Sequence, residues 1–399
     1  MIPFLYRCSE CGKEYARDTV RYLCPECGQH TTAGQPLRGV LDVELDYEKL
    51  EHQFRKSPND LSLFCPVEPE FHPTYPVGDT PLLEAPRLAE HLGLPAIWLK
   101  NDTLNPSGSL KDRASFLVVA EAVRLRESRI VTASTGNAAS SLAAVCAAAG
   151  KSAVVFVPES APRAKVVQML LYGAEVHRLK GTYDDAFALS VEYTHQRGGL
   201  NRNTAYHPLT IEGKKTVALE IYAQNRSRAP DVILVPVGDG VIISGVYKGF
   251  RDLLRSNMID RLPCLVGVQA ETSDAIHNYL ATGKYRNATP STIADSISVA
   301  APSNAHMARR AIEDSGGFSL TVTDAEILEA QALLCRTTGI FVEPAAAAPV
   351  AALSKISGRF SPEMTIIVLL TGHGLKDIEA ATSRLTLPQP IAPVLDAVP

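Results

Sequence analysis

The segment of the sequence that most directly suggests chemistry is Asn-Pro-Ser-Gly-Ser-Leu-Lys-Asp-Arg at positions 105–113. Its proline and glycine predict a tight turn, Ser109 can cap the helix that follows, and Lys111 then lies in the first helical turn. A free ammonium is unfavourable at that end of a helix dipole. A lysine in this position is therefore either solvated or covalently modified, and an imine with a cofactor aldehyde would remove the free charge.

Three further segments rich in small residues follow apolar runs, at the points where strands would end. They read Ala-Ser-Thr-Gly-Asn-Ala-Ala-Ser at 133–140, Val-Pro-Val-Gly-Asp-Gly-Val-Ile-Ile-Ser-Gly at 235–245, and Leu-Leu-Thr-Gly-His-Gly-Leu-Lys-Asp at 369–377. Glycines and hydroxyls at the start of a helix offer N–H groups and side chains to an anion. Taken singly, each segment is equally explained as a capped strand-to-helix turn.

The cysteines fall into two groups with different interpretations. Half of the eight form two Cys-x2-Cys pairs within the first 27 residues, at Cys8, Cys11, Cys24 and Cys27. This is zinc-ribbon spacing, in which two knuckles turn four thiolates toward one structural Zn ion. The alternative is that these thiols are simply reduced. The other four are dispersed among apolar neighbours and are interpreted as small buried hydrophobic residues: Cys65, Cys146, Cys264 and Cys335.

The elements that must position these segments alternate between short apolar runs and Ala-rich stretches of helical period. Strands are predicted at 96–100, 153–157, 232–237, 265–270 and 365–370, and helices at 110–125, 138–149, 163–172, 211–223, 242–254 and 324–337. Continuous apolar strands between helices indicate parallel sheets covered on both faces. The predicted class is therefore α/β, with ligands at the carboxyl edge of the strands.

The arrangement of these elements predicts a zinc-ribbon-like segment at 1–35 and two α/β domains. The larger domain comprises 36–128 and 224–386, and the smaller one comprises 129–223, so that a cleft forms between them. Residues from about 40 to 80 are Pro-rich and polar, which predicts a connector over the surface. The Pro-rich end of the chain, 387–399, predicts a flexible tail.

Composition excludes several classes of partner. A formal net charge of -4 over 399 residues gives no general attraction to nucleic acid or to an anionic bilayer. No run approaches the ~18 apolar residues that a membrane span needs, and no signal peptide is evident. We therefore expect a cytoplasmic protein that binds small molecules. A nicotinamide enzyme is excluded because no Gly-x-Gly-x-x-Gly turn with a following acidic residue occurs at Rossmann spacing.

The order and wording of the four segments resemble the threonine synthase branch of fold-type II pyridoxal 5'-phosphate (PLP) enzymes. The likeness runs from about residue 80 to residue 377, and many threonine synthase-like sequences also begin with a four-cysteine knuckle. The resemblance implies two three-layer α/β domains with parallel-rich sheets, each covered by helices. It also implies a homodimer.

Carried over by position, the resemblance assigns a role to each segment. Lys111 would be the catalytic lysine that carries PLP as an imine, Asn137 would contact the ring hydroxyl of the cofactor, and Thr371 would contact its pyridine nitrogen. The substrate carboxylate would be held by Ser134, Thr135 and Asn137. The phosphate of the cofactor would lie in a cup formed by Gly238, Asp239, Gly240, Val241 and Ile242.

Two departures from the family pattern affect the binding of phosphate groups. The family cup usually reads Gly-Asn-x-Gly-Asn, whereas this chain has Gly-Asp-Gly-Val-Ile, and a carboxylate at Asp239 would repel a phosphate unless it points away. Threonine synthases also carry Asn-Ser-x-Asn-Pro-x-Arg before Glu-Gly-x-Lys-Thr. Here the arginine position is Thr210, which cannot replace a guanidinium fork. His207, Arg163 and Lys165 are possible substitutes.

The function implied is a PLP-dependent carbon–oxygen lyase that converts O-phospho-L-homoserine and water to L-threonine and phosphate. An alternative is elimination or replacement at the β-carbon of another amino acid, either as in cysteate synthases acting on O-phosphoserine or as in threonine or serine ammonia-lyases. A second alternative is a non-catalytic scaffold in which the zinc ribbon binds a partner. The acidic balance and the intact Lys111 segment argue against it.

Overall fold

The N-terminal segment forms a small antiparallel sheet in the computed structural model, which describes residues 2–58, 60–356, 358–361, 363–382 and 385–394. Strands β1 (Phe4–Cys8), β2 (Glu14–Ala16) and β3 (Leu41–Leu45) are arranged in the order β2-β1-β3. Helix α1 (Tyr47–Lys56) follows directly. The prediction of a connector over the surface from about 40 to 80 was therefore wrong in its first part, where β3 is mostly buried.

The remaining strands form two sheets. They are β4 (Leu82–Glu84), β5 (Ile97–Asn101), β6 (Arg129–Ala133), β7 (Ser152–Pro158), β8 (Glu175–Leu179), β9 (Leu200–Asn201), β10 (Val232–Pro236), β11 (Cys264–Ala270), β12 (Phe318–Val322) and β13 (Ile366–Leu370). The six-stranded sheet has the order β12-β11-β10-β13-β5-β4, and its pairs are parallel except for that of β4 with β5. The four-stranded sheet, β8-β7-β6-β9, is parallel throughout.

Helices connect the strands and cover the sheets. They are α2 (Pro86–Leu92), α3 (Lys111–Arg124), α4 (Asn137–Ala148), α5 (Arg163–Leu171), α6 (Tyr183–Arg197), α7 (Leu209–Gln224), α8 (Val241–Arg255), α9 (Ala275–Thr282), α10 (Ala305–Asp314), α11 (Asp324–Thr338), α12 (Pro344–Leu353) and α13 (Ile378–Thr382). Parallel strands need such crossover connections, which are usually helical.

The centre of the larger sheet is apolar on both faces. Every residue of β10 and of β13 is buried, as continuous Val, Ile and Leu runs predict for strands covered on two sides. Helix α12 is also buried along its whole length, and its sequence is mostly alanine. A helix that is apolar all round belongs inside a core, and small side chains let it approach the sheet closely.

Helix α7 packs against both α3 and α8 through glycines. A Cβ atom at Gly213 of α7 would lie 2.7 Å from the Cα of Ala114 in α3, and one at Gly245 of α8 would lie 2.7 Å from the Cβ of Lys214 in α7. These distances are shorter than normal carbon contacts, so the helices can cross this closely only where a side chain is missing.

The α/β class with parallel-rich sheets is confirmed, and the predicted elements agree with the structure to within about two residues. The four strands of the smaller sheet lie between residues 129 and 201, inside the segment predicted as the smaller domain. The division into domains stays a prediction. Residues 387–394 of the predicted tail are exposed and form no helix or strand, and 395–399 lie outside the described residues.

None of the helices in the described part of the chain combines the length and the apolar character that crossing a bilayer requires.

Candidate active site

The ends of the parallel strands surround a cavity of about 370 Å³. Lys111 enters it from the start of α3, and the loop that follows β6 lines another wall. The turn between β10 and α8 lines the opposite wall. Three of the four segments singled out in the sequence therefore meet at one place, as the shared carboxyl edge of parallel strands predicts.

Lys111 begins helix α3, and its N–H donates to the hydroxyl of Ser109 at 3.2 Å. Burial lowers the pKa of the Lys111 amine to about 8, while the carboxylates of Asp239 and Glu343 act in the opposite direction. The amine is therefore much more easily deprotonated than an ordinary lysine, which suits it to bond an aldehyde and to transfer protons.

Thr371 lies beside Lys111 but is not among the residues that line the cavity. Its carbonyl accepts the N–H of Leu110 at 2.9 Å, and the N–H of His373 donates to the carbonyl of Gly108 at 2.9 Å. The fourth segment is thus joined by backbone hydrogen bonds to the lysine segment. The structure brings Thr371 next to Lys111 in this way, and its role toward a pyridine nitrogen stays a prediction.

Asn137 is held by a buried glutamate that sequence reasoning missed. The Asn137 Nδ2 donates to the two carboxylate oxygens of Glu343 at 2.8 and 3.0 Å and to the hydroxyl of Ser296 at 3.1 Å. This orientation leaves the Asn137 Oδ1 buried without a partner in the described part of the chain. An unsatisfied carbonyl in a cavity wall fits a residue that awaits a ligand.

The loop predicted to hold a substrate carboxylate lies in the same wall. Ser134 is buried and accepts the N–H of Gly136 at 3.1 Å, while Thr135 is half-buried, and both line the cavity. Lys165 packs against Gly136 and pairs with Asp295 at 2.7 Å. The loop therefore offers hydroxyl and N–H groups close to a buried cation.

The predicted phosphate cup, residues 238–242, lines the cavity at the start of α8. Gly240 has a φ of +85°, and a Cβ there would lie 2.7 Å from that of Ala308, so the turn needs glycine on both counts. The first N–H groups of α8 have no partner within the helix and face the turn. A phosphate fits this backbone arrangement.

The carboxylate of Asp239 was predicted to point away from a bound phosphate, and this stays a prediction. Asp239 lines the cavity, and its charge acts on Lys111 and on Lys214. Its Oδ1 is buried and accepts no hydrogen bond within the described residues. Its charge therefore acts on two lysines of the cavity, and within the described residues it forms an ion pair with neither.

Thr210 and two of the three proposed substitutes for the family arginine, His207 and Arg163, do not line the cavity. The hydroxyl of Thr210 donates to the carbonyl of His207 at 2.7 Å and accepts the N–H of Ala205 at 3.1 Å. His207 is buried outside the cavity, and burial lowers its pKa to about 4. Arg163 is exposed. Lys165 alone reaches the cavity wall, through its contact with Gly136, and Asp295 neutralises it there.

Three residues that line the cavity lie outside the four segments singled out in the sequence and were not predicted. Lys214 reaches it from α7, Tyr183 from the start of α6, and Ser296 from the irregular segment before α10. For Lys214 a signal was present: it lies four residues after Thr210, on the same face of the helix.

The four N-terminal cysteines converge as predicted. Their sulfur atoms all lie within 4.8 Å of one another. Backbone N–H groups of Cys11 and Cys27 donate to the sulfurs of Cys8 and Cys24, each at 3.5 Å. Four thiols arranged in two hydrogen-bonded knuckles fit the donor set of a structural zinc site.

Comparison with known proteins decides the family. The profile of the family described as pyridoxal-phosphate dependent enzyme matches residues 73–372, which is most of the chain. This chain belongs to that family. The threonine synthase of Methanocaldococcus jannaschii is 37% identical over 396 residues, covering 94% of each chain. That of Methanosarcina acetivorans is 36% identical over 407 residues, covering 98% of this chain and 97% of the relative.

Solved structures of two threonine deaminases share the fold. The T.th. threonine deaminase superposes with a TM-score of 0.65 at 26% identity, covering 86% of this chain and 99% of that one. The processed threonine deaminase isoform 2 of Solanum lycopersicum gives a TM-score of 0.68 at 20% identity, covering 85% and 95%. The likeness to the tomato enzyme shows the fold alone. Together they confirm the fold-type II assignment.

Proposed function

We propose that this chain is a threonine synthase-like lyase that converts O-phospho-L-homoserine and water to L-threonine and phosphate. The observation that carries the proposal is the convergence of Lys111, the 134–137 loop and the 238–242 turn on one cavity. The identity of over a third to curated threonine synthases across nearly the whole chain supports the substrate.

PLP fits the cavity, where it would supply an electron sink for negative charge at the substrate Cα. Lys111 would hold the cofactor aldehyde covalently and, once released, move the proton at Cα, which its lowered pKa favours. Ser134 and Thr135 would orient the substrate carboxylate. The turn at 238–242 would bind the cofactor phosphate, and Thr371 would face the pyridine nitrogen.

The test is a spectrum followed by product assays. Purified protein is expected to show a visible absorption band that Lys111→Ala abolishes, while Lys376→Ala, at another buried lysine outside this cavity, retains it. Incubation with O-phospho-L-homoserine is expected to release phosphate and L-threonine in equal amounts. A colourless protein that stays colourless when PLP is added, or the absence of phosphate release from the coloured protein, refutes the proposal.

One observation favours a second candidate within the same chemistry. Because the hydroxyl of Thr210 is engaged by its own turn, the usual arginine position contributes nothing to binding a substrate phosphate. O-phosphoserine, in a cysteate synthase-like reaction, or unphosphorylated threonine or serine, in an ammonia-lyase reaction, could then be the substrate. Assays of phosphate, ammonia and 2-oxo acid with each amino acid discriminate: the highest kcat/KM identifies the substrate.

We also propose that Cys8, Cys11, Cys24 and Cys27 hold one structural Zn ion. The clustered sulfurs and the N–H donors around them support this. Elemental analysis of the purified protein is expected to give one zinc per chain. The proposal would be refuted by a protein that contains no zinc, keeps the four cysteines reduced and has the same melting temperature as the zinc-loaded protein.

The remaining proposals concern organisation and setting. We propose that the cavity lies between a smaller domain, 129–223, and a larger one formed by 36–128 and 224–386. The protein would act as a cytoplasmic homodimer on a small amino-acid substrate, without nucleic acid or membrane partners. Light scattering of the purified protein tests the dimer, and a mass equal to one chain would exclude it.

A further inference from the structure

Lys214 is a buried lysine without an ion-pair partner in the part of the chain that the structure describes. Its side chain is 1% exposed, it lines the cavity together with Lys111, and within the described residues its ammonium makes no hydrogen bond or ion pair. Burial, with the nearby charges of Lys111 and Arg202, lowers the pKa of Lys214 well below its ordinary value. An uncompensated buried cation is costly, so its retention calls for a physical reason.

Other buried lysines show the usual solution. Lys100 pairs with Glu220 at 2.6 Å, and Lys165 pairs with Asp295 at 2.7 Å. Lys215, the neighbour of Lys214 in α7, pairs with Asp252 at 3.1 Å. Adjacent helical residues point about 100° apart, so Lys215 faces this carboxylate while Lys214 faces the cavity.

A second buried cation lies close to Lys214. Arg202 is fully buried and donates to neutral hydroxyls, those of Thr204 at 3.1 Å and Ser115 at 3.3 Å. Its Nη2 has no partner among the described residues. Burial lowers the pKa of Arg202 to about 10. Thr204 lines the cavity, so the guanidinium lies directly behind the wall.

Carboxylates lie near Lys214 and Arg202, but within the described residues none of them pairs directly with either cation. Asp239 is the carboxylate whose charge acts on both Lys214 and Arg202, and it forms an ion pair with neither. The Lys165–Asp295 pair is internally balanced, and Glu343 is engaged by Asn137. Asp112 also acts on Arg202, and Asp184 lines the same cavity, but within the described residues neither forms an ion pair with Lys214 or Arg202. This is the electrostatic arrangement expected for binding a multiply charged anion.

We propose that Lys214, supported by Arg202, binds a phosphate dianion in the cavity. Two sources share this chemistry: the phosphate of the cofactor and the phosphate of an amino-acid substrate, and the second rests on the proposed function. Lys214 contacts α8 at Gly245, within two turns of the 238–242 turn. Its position therefore suits either group.

The experiment compares Lys214→Met and Lys214→Arg with the unaltered protein. The cofactor-free chain is titrated with PLP and with pyridoxal, which lacks the phosphate. The cofactor-loaded protein is titrated with inorganic phosphate, and binding is monitored by the change in cofactor absorption. Its KM for O-phospho-L-homoserine is also measured. Lys215→Met is the matched control, because it removes the neighbouring lysine that faces a carboxylate.

Lys214→Met is expected to weaken phosphate binding on the order of ten- to a hundredfold, and Lys214→Arg to retain most of it. If the cofactor is the source, PLP affinity falls and pyridoxal affinity does not. If the substrate is the source, inorganic phosphate and O-phospho-L-homoserine bind more weakly and PLP does not. Lys214→Met should also leave the melting temperature of the cofactor-free chain unchanged or higher, whereas Lys215→Met lowers it without affecting phosphate.

Unchanged affinities for all phosphate ligands overturn the proposal. The proposal is also overturned if Lys214→Met weakens phosphate binding but the double variant with Asp239→Asn restores it. In that case Lys214 would serve only to neutralise the charge of Asp239. Failure of the proposed function is recognised separately: the unaltered protein would not turn over O-phospho-L-homoserine, yet the titrations with PLP, pyridoxal and inorganic phosphate would still report on Lys214.

Discussion

Lys111 is expected to react with the cofactor aldehyde at a pH far below that of an ordinary lysine. Burial lowers its pKa from 10.5 to about 8. At pH 7 about one amine in ten is then unprotonated, against about one in three thousand at the unperturbed pKa. The reactive fraction is therefore enriched about three hundredfold over that of a solvated lysine.

The assay follows the rate at which the visible band forms when PLP is added to the cofactor-free chain between about pH 6 and pH 10, a range that spans both pKa values. The rate is expected to reach half its maximum near the pKa of about 8. Borohydride fixation and peptide mapping give an internal comparison between Lys111 and the exposed Lys56. A midpoint above about pH 10, or equal labelling of the two lysines at about pH 7, refutes the reasoning.

The same pKa makes a prediction about stability. Because the unfolded state holds Lys111 at its ordinary pKa, it binds more protons than the folded state between about pH 8 and pH 10.5, and the free energy of unfolding rises with pH across this window. Below about pH 8 the folded cofactor-free chain carries a cost of about 3 kcal/mol from this residue. Lys111→Met should therefore raise the melting temperature at about pH 7, with no gain above about pH 10.5. A gain independent of pH would contradict this.

Three further predictions concern other parts of the structure. Glu343→Gln removes the charged acceptor of Asn137 and is expected to weaken PLP binding about tenfold. Because Glu343 raises the pKa of Lys111, the same variant should move the midpoint of the pH profile of cofactor attachment below about pH 8. A midpoint that remains at about pH 8 would contradict this. Cys11→Ser is expected to lower both the zinc content and the melting temperature, and full zinc retention would count against the four-cysteine site. Asp102→Asn removes one of the two carboxylates that pair with the fully buried Arg113, in which Nε lies 2.6 Å from Oδ2, while Glu220 stays paired with it. The free energy of unfolding should fall by about 1–3 kcal/mol in urea titration, and an unchanged midpoint would show that the pair with Asp102 contributes nothing.

The part of the site that the sequence predicts is the part built from strand ends. Lys111, the 134–137 loop and the 238–242 turn each follow a strand whose apolar run is visible in the sequence, and parallel strands bring those ends to one edge. Glycines in those turns are required by the backbone itself, which is why local sequence was informative there.

The part that escaped prediction depends on contacts between distant segments. Glu343 meets Asn137 across 206 positions, and nothing in the local sequence around either residue specifies that pairing. Lys214 and Lys215 are identical and adjacent, so only the packing of α7 decides which faces the cavity. Helix α1 was missed because prolines nearby masked it, although Asp46 caps it by accepting the N–H of Lys49 at 3.1 Å.

The glycine contacts of α7 imply that residues outside the cavity lining set the spacing of the residues within it. Helices α3 and α7 carry Lys111 and Lys214, and α8 begins within the 238–242 turn. Gly213 and Gly245 let the three backbones pack closely. A single methyl group added at Gly213 or Gly245 would push two helix axes apart and displace these groups relative to one another. A substitution at either glycine would therefore change the geometry of the cavity while every residue that lines it stayed the same.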